Sequence, residues 1–187
     1  MSTARKRGFS IDAFRALPEV EPPFEFYGGR VIQKMSPRLP HSLIQGELLG
    51  ALNRHARPLR LGRAYPELRC IFGGTAHIFD LSFFARDRQP DPRNPRDRDE
   101  ILIPPDLAVE ILSPGQTVGE LARKLRSVIR RGVRLGWLID DRKRAVRVFR
   151  PNPEPVILRP GDVLDGGDVL PGFALPVAEL FGWLDED

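Results

Sequence analysis

Apolar residues recur at helical spacing in two stretches of the chain. The first covers residues 41–55, and the second lies between Thr117, which can cap a helix, and Gly132, which can end one. The apolar stripes consist of Ile44, Leu48, Ala51 and Leu52 in the first stretch and of Val118, Leu121, Ala122, Leu125, Val128 and Ile129 in the second. Because this spacing puts each set on one face, we expect two helices that pack against a core.

Around these helices the apolar residues form short runs bounded by glycine, proline or charged turns, which is typical of strands. The predicted strands are residues 24–27 and 30–35, which form a hairpin around two glycines, and residues 65–72, 77–85, 107–112, 135–139 and 145–149. A capped helix at residues 10–14 and a final helix near residues 177–181 are shorter. This order predicts an α/β fold with a mixed β-sheet flanked by helices.

Residues 86–100 have a different character. They contain five arginines against five acidic residues and almost no apolar side chain. Such a segment cannot bury enough apolar surface to join a core, so we expect an exposed, mobile loop.

Length and composition fit one globular domain. The chain has 187 residues, of which 41% are hydrophobic and 29% are charged. We expect a single domain over residues 1–187, with an N-terminal extension and short helix in 1–23, the core in 24–150, and strands and a short helix in 151–187.

The sequence carries no sign of export or membrane insertion. No apolar run approaches the roughly 18 residues that span a bilayer, and no apolar segment follows the basic residues 1–8. The single cysteine, Cys70, excludes an internal disulfide, and its strand-like surroundings favour a small buried side chain. We therefore expect a cytoplasmic protein without a membrane partner.

The net charge of the chain is +4, and arginine supplies most of the positive charge. Guanidinium groups suit phosphate recognition because their planar fork binds two oxygens at once. This charge permits a nucleic-acid partner, which we favour, and it also fits an arginine-rich solvated surface.

Two acidic residues interrupt predicted strands that are otherwise apolar. Asp80 lies in the middle of residues 77–84, and Glu110 lies inside residues 107–112. A buried carboxylate is costly unless it is paired or binds a cation. Two of them on neighbouring strands suggest a shared Mg²⁺, which takes carboxylate oxygens and keeps several waters. Pairing of each acid with a nearby arginine explains the pattern equally well.

Lys124 is the candidate for a third functional side chain. It lies beside Leu121 and Val128, at the border of the apolar stripe of the second helix. If a metal ion activates a water that attacks a phosphate, a nearby ammonium group helps to orient the water and neutralise the developing charge. The alternative is a lysine whose stem covers the core and whose charge reaches water.

Several motifs acquire a meaning in combination. They are Met35-Ser36-Pro37 with His41, Pro105-Asp106-Leu107-Ala108-Val109-Glu110-Ile111-Leu112-Ser113-Pro114, Lys124, Gly132-Val133 with Trp137-Leu138-Ile139-Asp140, and Leu170-Pro171-Gly172-Phe173-Ala174-Leu175-Pro176. With this set, the chain between Phe24 and Phe181 resembles the Uma family of putative restriction endonucleases, which is similar in fold to the PD-(D/E)xK nuclease superfamily.

The resemblance implies a restriction-endonuclease-like mixed β-sheet core and a nuclease that uses Mg²⁺ or Mn²⁺. It implies that Asp80 and Glu110 bind the metal and that Lys124 completes the catalytic set, moved from the strand onto the following helix. Two positions depart from the pattern. Phe79 stands where the family usually has proline, and Leu112 stands where the superfamily has lysine.

Other polar residues have weaker patterns. Glu47 is a candidate third carboxylate, although we prefer a salt bridge from Glu47 to Arg54 or Arg57. His41, at the predicted start of a helix, suits capping or the orientation of a ligand as well as catalysis. Asp106 suits a turn better than a metal site.

Arginines flank Lys124 on the same predicted helix. We expect Arg123, Arg126 and Arg130 to bind nucleic-acid phosphates at the rim of the site, while a solvated outer helix face is the simpler explanation. His55 and His77 have no partner pattern and are expected to be structural.

The function we expect is endonucleolytic hydrolysis of phosphodiester bonds in nucleic acid, with DNA preferred over RNA as the partner. The first alternative is a nuclease-fold protein without turnover that binds or scaffolds nucleic acid. The second is a structural homodimer whose buried acids pair with arginines. Cleavage of both strands also favours a homodimer. No motif for reading a target sequence is recognisable.

Overall fold

The computed structural model describes residues 9–34, 36–152 and 154–185. Its helices are α1 (Ile11–Arg15), α2 (Leu39–Ala56), α3 (Pro95–Asp99), α4 (Val118–Ile129) and α5 (Val177–Gly182). Its strands are β1 (Phe24–Tyr27), β2 (Arg30–Gln33), β3 (Gly62–Pro66), β4 (Arg69–Phe72), β5 (Thr75–Ile78), β6 (Leu81–Ala85), β7 (Leu107–Ile111), β8 (Leu135–Asp140), β9 (Ala145–Phe149), β10 (Val156–Leu158), β11 (Val163–Asp165) and β12 (Ala174–Pro176). The basic residues 1–8 and Met35, which belongs to the first motif above, lie outside the described residues.

A six-stranded mixed sheet forms the centre of the fold, in the order β10-β9-β8-β7-β6-β3. β7 and β8 run parallel, and the other neighbouring strands run antiparallel. On β7, Leu107, Val109 and Ile111 belong to one core cluster, and Ala108 belongs to the other. Because both of its faces are covered, β7 is apolar at nearly every position.

The two long helices supply core residues on opposite faces of this sheet. Residues of α2 join the cluster of Val109, and residues of α4 join the cluster of Ala108. Thr117 and Glu120 form a capping box at the start of α4, which explains where this helix begins. Both predicted long helices are confirmed. Within the described residues, no helix is long and apolar enough to cross a membrane.

A smaller antiparallel sheet has the order β2-β1-β5-β4 and contains the predicted hairpin. Phe14 of α1 stacks on Phe26 of β1, with the ring centroids 5.7 Å apart, and both side chains are buried with Ile71 and Ala76. The short helix predicted near the N-terminus is therefore fixed to this sheet through its aromatic side chain. β11 and β12 form a separate two-stranded pair.

Two of the predicted strands are each two strands in the structure. Residues 65–72 divide at Glu67, whose φ of 46° lies in the left-handed region that a strand does not adopt. Residues 77–85 divide at Phe79 and Asp80, because β5 belongs to the smaller sheet and β6 to the central one. Both halves are buried, so the apolar run continues across the break and the pattern does not reveal it.

Residues 86–100, expected to be a loop, contain a 3₁₀ turn at Arg86–Arg88 and the short helix α3. Most of the segment is exposed, as predicted. The helix forms because Asn94 caps it, accepting a hydrogen bond from the backbone N–H of Arg96 at 3.2 Å, and because proline follows the cap.

Asp106 joins the start of β7 to the end of β6. Its side chain is fully buried, accepts a hydrogen bond from the backbone N–H of Ala85 at 2.8 Å, and pairs with the guanidinium group of Arg88. Arg134 lies 3.5 Å away from the same carboxylate. These contacts give Asp106 a structural role at the edge of the strand that carries Glu110.

Asp106→Ala is expected to lower the free energy of unfolding by about 2–3 kcal/mol, because a buried N–H and a half-buried guanidinium group lose their acceptor. Urea unfolding followed by circular dichroism measures the change. The control is Asp168→Ala, which removes an exposed carboxylate. Equal stability of the two variants contradicts the anchoring role.

Candidate active site

The candidate site lies where the chain passes from the smaller sheet to the central sheet. Asp80 directly precedes β6, and Glu110 is on β7. Leu81 pairs with Val109, so the same register continued by one residue puts Asp80 opposite Glu110. Opposite residues of antiparallel strands project to the same face of a sheet. The two acids that interrupt the apolar runs are thus brought side by side.

Asp80 is almost wholly buried and has charged and polar partners on both carboxylate oxygens. Its Oδ2 accepts a hydrogen bond from the backbone N–H of Ile111 at 2.6 Å. Its Oδ1 lies 2.8 Å from Lys34 Nζ and 3.4 Å from His41 Nε2. Burial alone would raise the pKa of Asp80, but the contacts with His41 and Lys34 outweigh burial and hold the pKa below its ordinary value. Asp80 is therefore ionised at neutral pH.

His41 connects Asp80 with the chain that follows β7. Its Nδ1 lies 3.0 Å from Ser113 Oγ, and both side chains are buried. The N-cap residue of α2 is Arg38, so His41 does not cap the helix. The hydroxyl group of Ser113 fixes the ring so that Nε2 faces the Asp80 carboxylate, which makes His41 an orienting residue.

Lys124 lies between two carboxylates. Its Nζ is 2.7 Å from Glu110 Oε1 and 2.7 Å from Glu25 Oε1. The rings of Tyr27 and Phe79 cover the ammonium group, with centroids 5.6 Å and 5.3 Å away. Only 3% of Lys124 is exposed, so its charge does not reach water and the solvent-facing alternative is wrong.

Burial and proximity set the charge states of this pair. Burial raises the pKa of Glu110 to about 7, and the neighbouring ammonium group of Lys124 offsets this only in part. Burial alone would lower the pKa of Lys124, but Glu110 and Glu25 outweigh it and hold that pKa above its ordinary value. Lys124 therefore stays charged at neutral pH. Any further positive charge nearby would favour the ionised form of Glu110.

The donor set fits a hard divalent cation. Asp80 and Glu110 offer carboxylate oxygens, and Glu110 Oε1 touches Lys124 without accepting an aligned hydrogen bond. Among the described residues, no three histidine, cysteine or acidic side chains are grouped closely enough to form a complete protein cage. Mg²⁺ commonly uses one or two carboxylates and completes its shell with water and phosphate oxygens. The number of carboxylates at Asp80 and Glu110 is within what such an ion takes from a protein.

Sequence patterns missed Glu25 and Lys34. Glu25 carries the same signal as Asp80, an acid between apolar residues of a predicted strand, but the sequence does not show that its hairpin lies beside Asp80 and Glu110. Lys34 follows a partly exposed strand, so its sequence context gives no sign of burial. Asp80 and Glu110 pair with lysines, and the interpretation that each pairs with an arginine is wrong.

Glu47 lies apart from these contacts. It is exposed on α2 and forms no salt bridge with Arg54 or Arg57, which the structure also describes. The preferred interpretation of Glu47 is therefore wrong, because helical side chains meet at spacings of three or four residues and both arginines lie farther along the chain than that.

The predicted phosphate-binding arginines are on the outer face of α4 and, for Arg130, directly after its last residue. Arg123, Arg126 and Arg130 are exposed, whereas Lys124 points inward from the same helix. Arg126 lies 3.2 Å from Glu154 and stacks over the Phe149 ring at 5.7 Å. The structure does not bring these arginines into contact with the buried acids, and their binding to nucleic acid stays a prediction.

Three further side chains have surroundings that explain them without catalysis. His77 Nε2 lies 2.9 Å from Thr75 Oγ1, and burial, with the charge of Lys124, lowers the pKa of His77 to about 2. His55 Nε2 lies 2.9 Å from the carbonyl oxygen of Pro171. Cys70 is buried, and burial raises the pKa of its thiol to about 12.

Comparisons with known proteins identify the family and the fold of the chain. Residues 11–178 match the family described as Uma2, putative restriction endonuclease. A crystal structure of a putative nuclease from Anabaena variabilis is 35% identical in sequence, covers 94% of this chain and 98% of its own, and superposes with a TM-score of 0.87. No curated protein matches the sequence. The predicted restriction-endonuclease-like fold is confirmed by this neighbour, and the chain belongs to the Uma2 family of putative restriction endonucleases.

Proposed function

We propose that this chain is a metal-dependent endonuclease that hydrolyses phosphodiester bonds, with DNA as its substrate and Mg²⁺ or Mn²⁺ as its cofactor. One observation carries the proposal. Two buried carboxylates, Asp80 and Glu110, lie opposite each other on adjoining chain segments, and the ammonium group of Lys124 contacts the second. The family and the similar nuclease structure support the same class of reaction.

The roles of the side chains follow from their contacts. Asp80 and Glu110 would hold the cation, and His41, fixed by Ser113, would orient the Asp80 carboxylate. Such a cation lowers the pKa of a bound water and offsets charge on the phosphate. Lys124, held charged by Glu110 and Glu25, would stabilise negative charge that develops beside Glu110.

Metal binding is the first test. Calorimetric titration with Mn²⁺ is expected to show binding to the wild type and none to the Asp80→Asn, Glu110→Gln double variant. The matched control is Asp168→Asn with Glu179→Gln, which removes two exposed carboxylates and is expected to bind as the wild type does. If the wild type shows no heat of Mn²⁺ binding, either alone or with a non-cleavable duplex, the proposed cofactor is wrong.

A binding module without turnover is the second candidate. The observation that favours it is the exposed row of Arg123, Arg126 and Arg130, which would bind phosphates whether or not the buried acids act. Incubation with supercoiled plasmid and Mn²⁺ separates the two candidates. Cleavage that EDTA abolishes supports the nuclease, and binding without cleavage supports the module.

Sedimentation of the protein tests the homodimer that cleavage of two strands would favour.

A further inference from the structure

Lys34 occupies a position that nothing in the sequence predicts. It follows β2, only 10% of its side chain is exposed, and its Nζ lies 2.8 Å from Asp80 Oδ1. The same ammonium group donates a hydrogen bond to the carbonyl oxygen of Ile78 at 3.1 Å. A positive charge thus lies directly on the carboxylate that the proposed function assigns to a divalent cation.

We propose that Lys34 competes with the divalent cation for the Asp80 carboxylate. When the cation binds, Lys34 leaves Asp80 and pairs with Glu67. This inference rests on the proposed function, since it concerns the same metal site. It assigns to Lys34 a positioning role, in which the lysine keeps Asp80 charged and in place until the cation arrives.

The two lysines of the site differ in their freedom to move. Lys124 contacts two carboxylates and lies beneath two aromatic rings, so its departure would leave two buried charges unpaired. Lys34 contacts one buried carboxylate and one carbonyl oxygen, and the half-exposed Glu67 lies 4.0 Å away. It also lines a surface cavity with Pro22, Ser36 and Glu67. Lys34 is therefore the lysine that can move without unpairing two carboxylates.

A partner for the displaced lysine is already in place. Glu67 Oε1 lies 4.0 Å from Lys34 Nζ, and the Glu67 side chain is 41% exposed at the cavity. Gln45 Nε2 lies 3.4 Å from the same Glu67 oxygen and also donates to the backbone carbonyl of Asp80. Rotation of the flexible lysine stem would move its charge from the buried Asp80 to the half-exposed Glu67 without exposing an unpaired ion.

Charge balance favours replacement of Lys34 by the cation over binding of the cation beside Lys34. Three buried carboxyl groups, those of Glu25, Asp80 and Glu110, face two ammonium groups. One divalent cation together with Lys124 neutralises three carboxylates. If Lys34 also remained against Asp80, the buried part of the site would carry one positive charge in excess, and only the half-exposed Glu67, 4.0 Å from Lys34 Nζ, could offset it. An excess charge away from water is unfavourable.

Lys34→Gln tests the competition directly, because glutamine keeps a polar side chain at Asp80 and removes the charge. Calorimetry with Mn²⁺, without nucleic acid, is expected to show binding at least about tenfold tighter than in the wild type, as loss of a like charge from a partly buried site predicts. The matched control is Lys143→Gln, an exposed turn lysine, for which no change is expected. Thermal unfolding with and without Mn²⁺ gives a second measurement, in which Lys34→Gln is expected to gain more stability from the ion.

A double-mutant cycle tests whether Glu67 is the partner of the displaced lysine. Glu67→Gln is expected to weaken Mn²⁺ binding about threefold more in the wild-type background than in Lys34→Gln, because the outward pair exists only when both residues are present. Equal effects in the two backgrounds overturn Glu67 as the partner.

Two results overturn the competition. If the wild type binds Mn²⁺ and Lys34→Gln binds it equally or more weakly, Lys34 does not compete, and the proposed nuclease site is unaffected. If no variant binds Mn²⁺, with or without a non-cleavable duplex, the proposed function fails together with this inference.

Discussion

Glu110→Gln is expected to reduce Mn²⁺-dependent cleavage of DNA by at least about 10³-fold, because the loss of several kcal/mol of metal-mediated stabilisation of the transition state has that effect on a rate. Glutamine preserves the volume of the side chain and removes its charge. Lys124 keeps Glu25 as a partner, so the variant is expected to fold. Single-turnover cleavage of a labelled duplex measures the effect.

The control for Glu110→Gln is Glu179→Gln, an exposed glutamate on α5. Both variants are expected to give the same far-ultraviolet circular dichroism as the wild type. Wild-type cleavage by Glu110→Gln would falsify the assignment of Glu110 to the metal, and the exposed arginines of α4 would then lead the search for a binding function.

Lys124→Met is expected to lower the free energy of unfolding by about 3–5 kcal/mol, since it leaves Glu110 and Glu25 buried without their shared cation. Cleavage is expected to fall by about 10²–10³-fold, as for the removal of one preorganised donor. Mn²⁺ is expected to recover part of the lost stability, because a divalent cation at Glu110 replaces the missing charge.

Thermal unfolding of Lys124→Met over a series of Mn²⁺ concentrations separates this from a packing effect. A cavity left by a shortened side chain gives the same loss of stability at every Mn²⁺ concentration. Lys143→Met, in an exposed turn, is expected to behave as the wild type. Undiminished stability of Lys124→Met contradicts an ionised pair between Lys124 and Glu110.

Sequence patterns predict the two long helices and the burial of Asp80 and Glu110, because a buried face leaves a periodic apolar pattern and an acid inside an apolar run interrupts it. The stripe containing Leu121, the capping residue Thr117 and the acids inside apolar runs all follow from the cost of placing polar groups in a core. The fold class follows from the order of these elements.

What the patterns do not contain is which sheet each strand joins. The division of residues 77–85 is invisible because Ile78 and Leu81 are equally buried on either side of the break. Glu25 and Lys34 reach the site from the smaller sheet, so no local pattern can reveal contacts that depend on how the two sheets meet. Side-chain partners across 46 residues of chain, as for Lys34 and Asp80, are set by topology alone.

The passage of the chain between the sheets at Asp80 has a consequence for how this protein can change. Glu25 lies in the smaller sheet and Lys34 directly follows one of its strands, Glu110 lies in the central sheet, and Asp80 is in the connection between the two. The site therefore lies between the two sheets, and its ion pairs also hold the sheets together. A substitution that loosens the contact between the sheets is therefore expected to disturb the site from a distance. A substitution within the site is expected to weaken the contact between the sheets. Substitutions on surfaces remote from this contact, such as at the exposed Glu179 of α5, are expected to leave both unchanged.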